Sequence, residues 1–387
     1  MKKCFFFLWI LYSARIYSQA EAYSVQIKDI ETQLPIENAT LSVVKTKQIL
    51  LSNSQGIVSF ELKGSSSIQV SEATYETLNL RWSELQQNNY TVYLKSTRNA
   101  LDEIILTTEN PQKILKKIVA NSIQKITVPA RLKVYVREFF KLNQQYAYYN
   151  DGLVNFQFSK DQDKLSTTLL VEQNRSFGLL DQDITEDLLG YNLNDIMEKY
   201  CSFRYLDPIL EVKNAHELDF LITAPQNNKK NNIMTITPQD SSENFLDTFE
   251  IIYDTEKKII KEFTIKRTPK ATAAHKDIIF GTTKQITNSF VKVNYRLDDQ
   301  GYFLLNANEN IAYDVQLKDT VKNIEVQNSF ITTHFNKQNF TYKESDVFKE
   351  KTLFNKKNNI LTNYWDFSGF IATEHEKEII DSLHYKM

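Results

Sequence analysis

At 387 residues the chain can bury at least two hydrophobic cores. Its 46 basic and 48 acidic side chains give a formal charge of −2, which argues against a general attraction to nucleic acid or to an anionic membrane face. Hydrophobic residues at 42% exclude a disordered chain, and 20 Tyr and 24 Phe against 8 Gly and 7 Pro favour long strands with few tight turns.

The first residues have the order of a secretory signal: Lys2 and Lys3, an apolar run from Cys4 to Tyr12, then small residues at Ser18 and Ala20. The run is shorter than the about 20 residues needed to span a bilayer. The expectation is an exported protein cleaved after Ala20, working in the periplasm or at the outer-membrane surface, with no transmembrane segment in the mature chain. Cleavage would remove Lys2, Lys3 and Arg15 and no acid, so the charge would fall from −2 to −5. Cys201 would then be the sole cysteine, which rules out an intramolecular disulfide.

Short alternating segments follow at Tyr23–Lys28, Ala39–Val44, Ile49–Leu51, Ile57–Leu62, Ile68–Val70, Glu76–Leu80 and Tyr90–Leu94. Seven strands at regular spacing predict a small β-sandwich. Gly56 is the expected positive-φ residue of the Asn53–Gly56 turn. The runs Leu34-Pro35-Ile36-Glu37-Asn38-Ala39-Thr40-Leu41 and Ser52–Phe60, with Tyr75-Glu76-Thr77 and a closing Leu101–Leu106, resemble the carboxypeptidase-like regulatory domain. That resemblance covers about a fifth of the chain. It implies a prealbumin-like sandwich of the kind found in exported Gram-negative envelope proteins, with no catalytic residues of its own. The family's early glycine is missing here, and Ala73-Thr74 replaces the glycine before Tyr75.

The stretch from Leu101 to Ile126 divides the chain. Pro111 opens a helix in which Ile114, Leu115, Ile118, Val119, Ile123 and Ile126 recur at helical spacing. The expected organisation is a signal peptide over 1–20, the sandwich over 21–106, and an α+β domain over 107–387 built on an extended antiparallel sheet. The whole would be mainly β. Leu132–Phe140 reads as a strand with Val134, Val136 and Glu138 on one face and Tyr135, Arg137 and Phe139 on the other. Tyr146–Phe158 reads as a hairpin turning at Asn150-Asp151-Gly152. Further strands are expected at Leu165–Val171, Ile233–Ile236, Thr248–Tyr253, Lys258–Lys266, Ser289–Leu297, Gly301–Leu317 and Ile324–Phe335. A two-piece helix, capped by Asn192 or Asn194, is expected over Ile184–Tyr200. A last helix carries a capping box at Thr373 and Glu376, with Ile379, Ile380 and Leu383 as its buried stripe. Tyr135-Val136-Arg137-Glu138 partly matches the aromatic-Tyr-Arg-Glu core of larger exported proteins that carry the same regulatory domain.

Chemistry is sparse. His216, His275, His334, His375 and His384 show no metal-ligand spacing, and there is no nucleophile elbow or phosphate-cradling loop. Cys201 follows an amphipathic helix, at the end whose dipole disfavours a thiolate. No catalytic residue, metal or cofactor is therefore expected. Tyr135, Phe139, Tyr146, Tyr148 and Tyr149 are the candidate ligand-binding residues, able to stack on sugars or line an apolar trough; plain cross-strand packing is the competing reading. The expected function is a non-catalytic envelope module for binding or assembly, with a protein, glycan or lipid partner. The alternatives are a lipid or lipoprotein carrier that holds an acyl chain in a curved antiparallel sheet, and a hydrolase with an unrecognised site.

Overall fold

The computed structural model describes residues 21–62, 66–98, 103–161, 164–179, 192–211, 216–225, 230–239, 247–267, 277–279, 282–317, 320–354, 356–362 and 371–384. The expected signal segment, the first piece of the 184–200 helix and His275 lie outside the described residues.

Seven strands open the fold: β1 (Glu21–Asp29), β2 (Thr40–Val43), β3 (Gln48–Leu51), β4 (Ile57–Leu62), β5 (Ser67–Ser71), β6 (Leu78–Arg81) and β7 (Thr91–Leu94). They pair as two sheets, ordered β4-β1-β7 and β3-β2-β5-β6, which is the expected seven-stranded sandwich. Alternation places Val25, Ile27, Leu41, Val43, Val58, Phe60, Ile68 and Val70 in one core. Gly56 does have positive φ, +72°, and a Cβ there would sit 2.4 Å from the Ile27 carbonyl oxygen. The pattern gave no sign of the short helix α1 (Trp82–Gln87), which leads out of β6.

A third, much larger sheet contains β8 (Glu103–Ile104), β9 (Ala130–Leu142), β10 (Gln145–Asp161), β11 (Lys164–Gly178), β12 (Leu218–Ala224), β13 (Asn231–Pro238), β14 (Asp247–Asp254), β15 (Ile260–Arg267), β16 (Asp277–Ile279), β17 (Thr282–Asp298), β18 (Gly301–Leu317) and β19 (Thr320–Asn336). Its order is β11-β10-β9-β19-β18-β17-β15-β14-β13-β12-β8, with β16 added on β17. The fold is thus mainly β, dominated by one extended antiparallel sheet.

Two sequence expectations are corrected. Glu103–Ile104, within the stretch expected to close the sandwich, pairs instead with β12 (Ile104 with Thr223), so β8 is a rim of the large sheet. The hydrogen-bonding boundary between the two parts therefore falls before residue 103, not at 106. Asn150-Asp151-Gly152 is not a turn either. It lies in the middle of β10, paired on both sides to β9 and β11. The actual reversal into β10 is at Asn143-Gln144, whose φ values of 49° and 67° provide the doubly left-handed turn that a tight hairpin needs. Gly152 serves packing instead, since an added Cβ would meet Leu353 Cδ1 at 2.6 Å.

Period-2 alternation gives the sheet two unlike faces. Val134, Val136, Phe140, Tyr148, Val154, Phe156, Phe263, Val293 and Phe330 share one apolar core with the helices α2 (Pro111–Lys125), α3 (Leu193–Cys201) and α4 (Asp207–Leu210). On the other face, Leu51 of β3 packs on Tyr135, Leu153 and Ile331, which docks the sandwich onto the sheet. Helix α5 (Glu374–His384) lies on that same face, with Ile379, Ile380 and Leu383 against Phe139, Tyr149 and Phe177. Its expected capping box is present: Thr373 N donates to Glu376 at 2.7 Å, and Glu376 N donates to Thr373 Oγ1 at 3.2 Å.

The outer edge of β11 is not bare. Phe348 N donates to Leu169 O at 2.8 Å, and Asn174 and Asn359 exchange backbone bonds of 2.9 and 3.0 Å. The segment after β19 thereby covers that edge.

Candidate ligand-binding surface

The apolar face is shaped by its helices. Asn110 caps α2, accepting from Lys113 N at 3.2 Å, and Pro111 takes the first turn as expected. Asn192 caps α3 by accepting from Asn194 N and Asp195 N at 3.0 and 3.1 Å. Leu193, Ile196, Met197, Tyr200 and Cys201 of α3 are buried against the sheet.

Helix α3 reaches strands that are far apart in the sheet. At one edge, Thr167 of β11 donates its hydroxyl to Asn194 at 3.0 Å and its amide to Glu198 at 3.1 Å. Across the face, Tyr295 of β17 donates to Tyr200 O at 2.6 Å. Five strand spacings of a flat sheet come to about 24 Å, whereas nine helical residues extend about 13 Å. Curling of the sheet would bring strands five positions apart within reach of this one short helix. Among the described residues, no backbone–backbone hydrogen bond joins α3 to a strand of the sheet, although Leu193 N donates to Lys351 O at 3.0 Å in the segment beyond β19 and Tyr200 donates to Glu309 of β18 at 3.3 Å.

A row of polar side chains crosses this apolar face. Asn150, Glu138, Asn328 and Glu309 stand directly opposite one another on β10, β9, β19 and β18, and all four are buried. Asn150 Nδ2 donates to Glu138 Oε1 at 3.2 Å, while Glu138 Oε2 and Asn328 Oδ1 have no partner. Burial pushes the Glu138 carboxyl up to about 8, only partly offset by the Asn150 hydrogen bond. Glu309 is raised to about 7 by burial, against hydrogen bonds from Tyr200 and Tyr205 at 3.3 and 3.4 Å. At neutral pH Glu138 is thus mainly a neutral acid, which removes most of the cost of placing it in this core.

The five aromatic residues singled out in the sequence do not form one surface. Tyr148 is buried on the helix-covered face and stacks on Phe140 at 5.3 Å. Tyr135, Phe139 and Tyr149 are buried on the opposite face, and Tyr146 is half-buried beside Phe139. Tyr135 donates to the wholly buried Asp151 at 2.9 Å, Tyr149 donates to the same carboxylate, and Arg175 grips it at 2.9 and 3.0 Å. Cross-strand packing and a buried ion pair account for all five. The polar row was not found in the sequence because its members are distant in the chain; the apolar alternation around Glu138 was the one visible signal.

Cys201 is buried at the end of α3, where burial and the nearby Glu198 push its thiol well up. Arg204, three residues on, is turned to Glu198 at 3.8 Å. His216 and His375 are exposed, and His384 sets its ring edge-on to Phe177 at 4.7 Å. His334 is held below its usual range by burial and by Lys133 and Arg131. Among the described residues, no three His, Cys, Asp or Glu side chains gather as a metal site would require.

No protein-family model matches the chain, and no curated protein matches it. Two solved structures show a weak similarity to the chain. One, titled as lipid–protein interactions in lipovitellin, has 9% identity and a TM-score of 0.23 over 56% of this chain, which spans about a quarter (26%) of that protein. The other is a DUF1329 family protein from Desulfovibrio piger, with 10% identity and a TM-score of 0.25, over 58% of this chain and 94% of that one. Likeness at this level carries no argument about function. No described helix is long and apolar enough to cross a membrane.

Proposed function

We propose that the protein is a non-catalytic, exported binding protein whose large sheet carries a lipid acyl chain between its apolar face and helix α3. In this reading the sandwich is a carboxypeptidase-like regulatory domain, and the protein works in the periplasm or at the outer-membrane surface. The observation that supports it is the apolar face of the sheet closed by a short helix that, among the described residues, no backbone hydrogen bond ties to the sheet strands.

Magnitudes support an exchange of helix for ligand. The five buried side chains of α3 are worth roughly 8–15 kcal/mol of gross burial, at about 1.5–3 kcal/mol each. An acyl chain of about 10–16 carbons offers roughly 8–13 kcal/mol at about 0.8 kcal/mol per CH₂. The two are close enough for an acyl chain to take the place of the helix without loss of the sheet. The partnerless Glu138 Oε2, a hydroxyl when the acid is neutral, and the partnerless Asn328 Oδ1 offer the polar part of such a ligand a donor and an acceptor.

The test is lipid content and uptake. Protein purified from envelope fractions without detergent should show co-purified lipid by native mass spectrometry. Thr167 and Asn194 lie 3.0 Å apart at their side-chain oxygens, so a Thr167→Cys, Asn194→Cys pair can tether α3 to β11. The oxidised tether should block uptake of a fluorescent fatty acid, and reduction should restore it. Absence of lipid together with uptake indifferent to the tether would overturn the carrier and leave the broader reading of a binding or assembly module.

A further inference from the structure

Beside the Leu51 contact, on the same face of the large sheet, the sandwich meets the sheet through polar contacts such as Asn308 Nδ2 to Asn38 Oδ1 at 3.1 Å. A cleft of about 620 Å³ opens there between β2, β5 and the 72–77 turn on one wall and β17, β18 and the β14–β15 turn on the other. Its size is that of an ordinary small-molecule site, roughly 300–1,000 Å³. Its walls are not the usual apolar ones. They are amides, hydroxyls and charges.

The charges are largely matched within the walls. Lys261 pairs with Asp254 at 3.3 Å and donates to Asn231 at 2.7 Å. Arg296 pairs with Asp298 at 2.8 Å and donates to Ser42 at 2.6 Å. An ion pair already made offers an incoming ion little, so the cleft does not select for a charged ligand. The rest of the lining mixes neutral donors and acceptors with Glu72 and Glu76, which pair with Lys292 and Lys95 at 3.4 and 3.9 Å, and with Lys230 and Lys257. Asn306 is the telling member: it is 1% exposed, its Oδ1 accepts from Asn294 Nδ2 at 2.9 Å, and its own Nδ2 has no partner. Leaving a buried donor unmet costs about 1–3 kcal/mol, which a ligand oxygen would recover. On the facing wall is Tyr75, whose hydroxyl bonds Asp29 and whose ring is half-buried.

We propose that this cleft binds a neutral polyhydroxylated ligand, a glycan, with Asn306 Nδ2 donating to a sugar oxygen and the Tyr75 ring lying against a sugar face. Hydroxyl groups donate and accept at once, which suits a wall that mixes amides and hydroxyls. The cleft lies on the opposite face from the acyl-chain surface and does not depend on that reading.

The full chain is titrated calorimetrically with three neutral trisaccharides: maltotriose, cellotriose and chitotriose. At least one should bind saturably. Asn306→Asp keeps the acceptor for Asn294 but loses the free donor, and should weaken binding about tenfold. Tyr75→Leu, on the other wall, should weaken it comparably and serves as the reading if Asn306→Asp does not fold. Fatty-acid uptake should be unchanged in both. No saturable binding of any of the three at about 10 mM, or binding untouched by both variants, would overturn the proposal.

Discussion

Arg137 and Glu138 are adjacent in the chain and serve opposite faces of the sheet. Arg137 reaches Glu376 of α5 at 2.9 Å on the sandwich side, while Glu138 accepts from Asn150 at 3.2 Å within the helix-covered core. Strand alternation makes this separation unavoidable. The sequence admits a pairing between the two, and the pleat forbids it.

Glu138 should make stability depend on pH. Its folded value of about 8 lies above the ordinary 4.5, so the folded state holds the proton more tightly than the unfolded chain does. The stabilisation is therefore complete below about 4.5 and is lost as pH rises toward 8, on the order of a few kcal/mol. Glu309, raised to about 7, acts in the same direction. Urea denaturation of Glu138→Gln across this window should give a flatter profile than the native chain. Parallel profiles would show that Glu138 does not carry the proton.

Glu376 both caps α5 and neutralises the buried Arg137. Glu376→Ala should destabilise the protein by about 2–3 kcal/mol, because it removes both the cap and a charge-assisted bond to the buried Arg137. Thr373→Ala, which removes only the cap, should cost about 1 kcal/mol. Hydrogen exchange should rise first in α5. Equal losses for the two variants would show that the ion pair is not what fixes this helix.

Gly152→Ala should cost about 1–3 kcal/mol by pushing on Leu353, and pairing it with Leu353→Ala should recover part of that loss. Additive costs in the double-mutant cycle would mean the contact is slack.

Cys201 should resist iodoacetamide at neutral pH in the folded protein and react only on unfolding, since burial and Glu198 raise its thiol. Rapid native labelling would place it at an accessible, activated site.

Elements with strong local signals were legible in the sequence. Asn110-Pro111, Asn192 and the Thr373–Glu376 box begin helices where they should, and the sandwich strands follow their alternation. Asp298–Gly301 turns as expected. Asn150-Asp151-Gly152 misled because turn-forming residues were selected there for buried partners: Glu138 for the amide, Arg175 and two tyrosines for the carboxylate, Leu353 for the missing side chain. The true reversal, Asn143-Gln144, contains no glycine. The polar row, the cleft and the docking of Leu51 on Ile331 join residues hundreds of positions apart, and no local pattern encodes such meetings.

The segment laid along the outer edge of β11 has a consequence for the company the molecule keeps. A sheet with an open rim invites a second copy to extend it, and repetition of that step yields a fibre. Here Phe348 and Asn359 occupy one rim, and the other stops at a strand of two residues, Glu103–Ile104. The covered rim leaves a second copy little edge to extend on that side, and a chain shortened before Val347 should associate edge to edge, read as a rise in mass by light scattering.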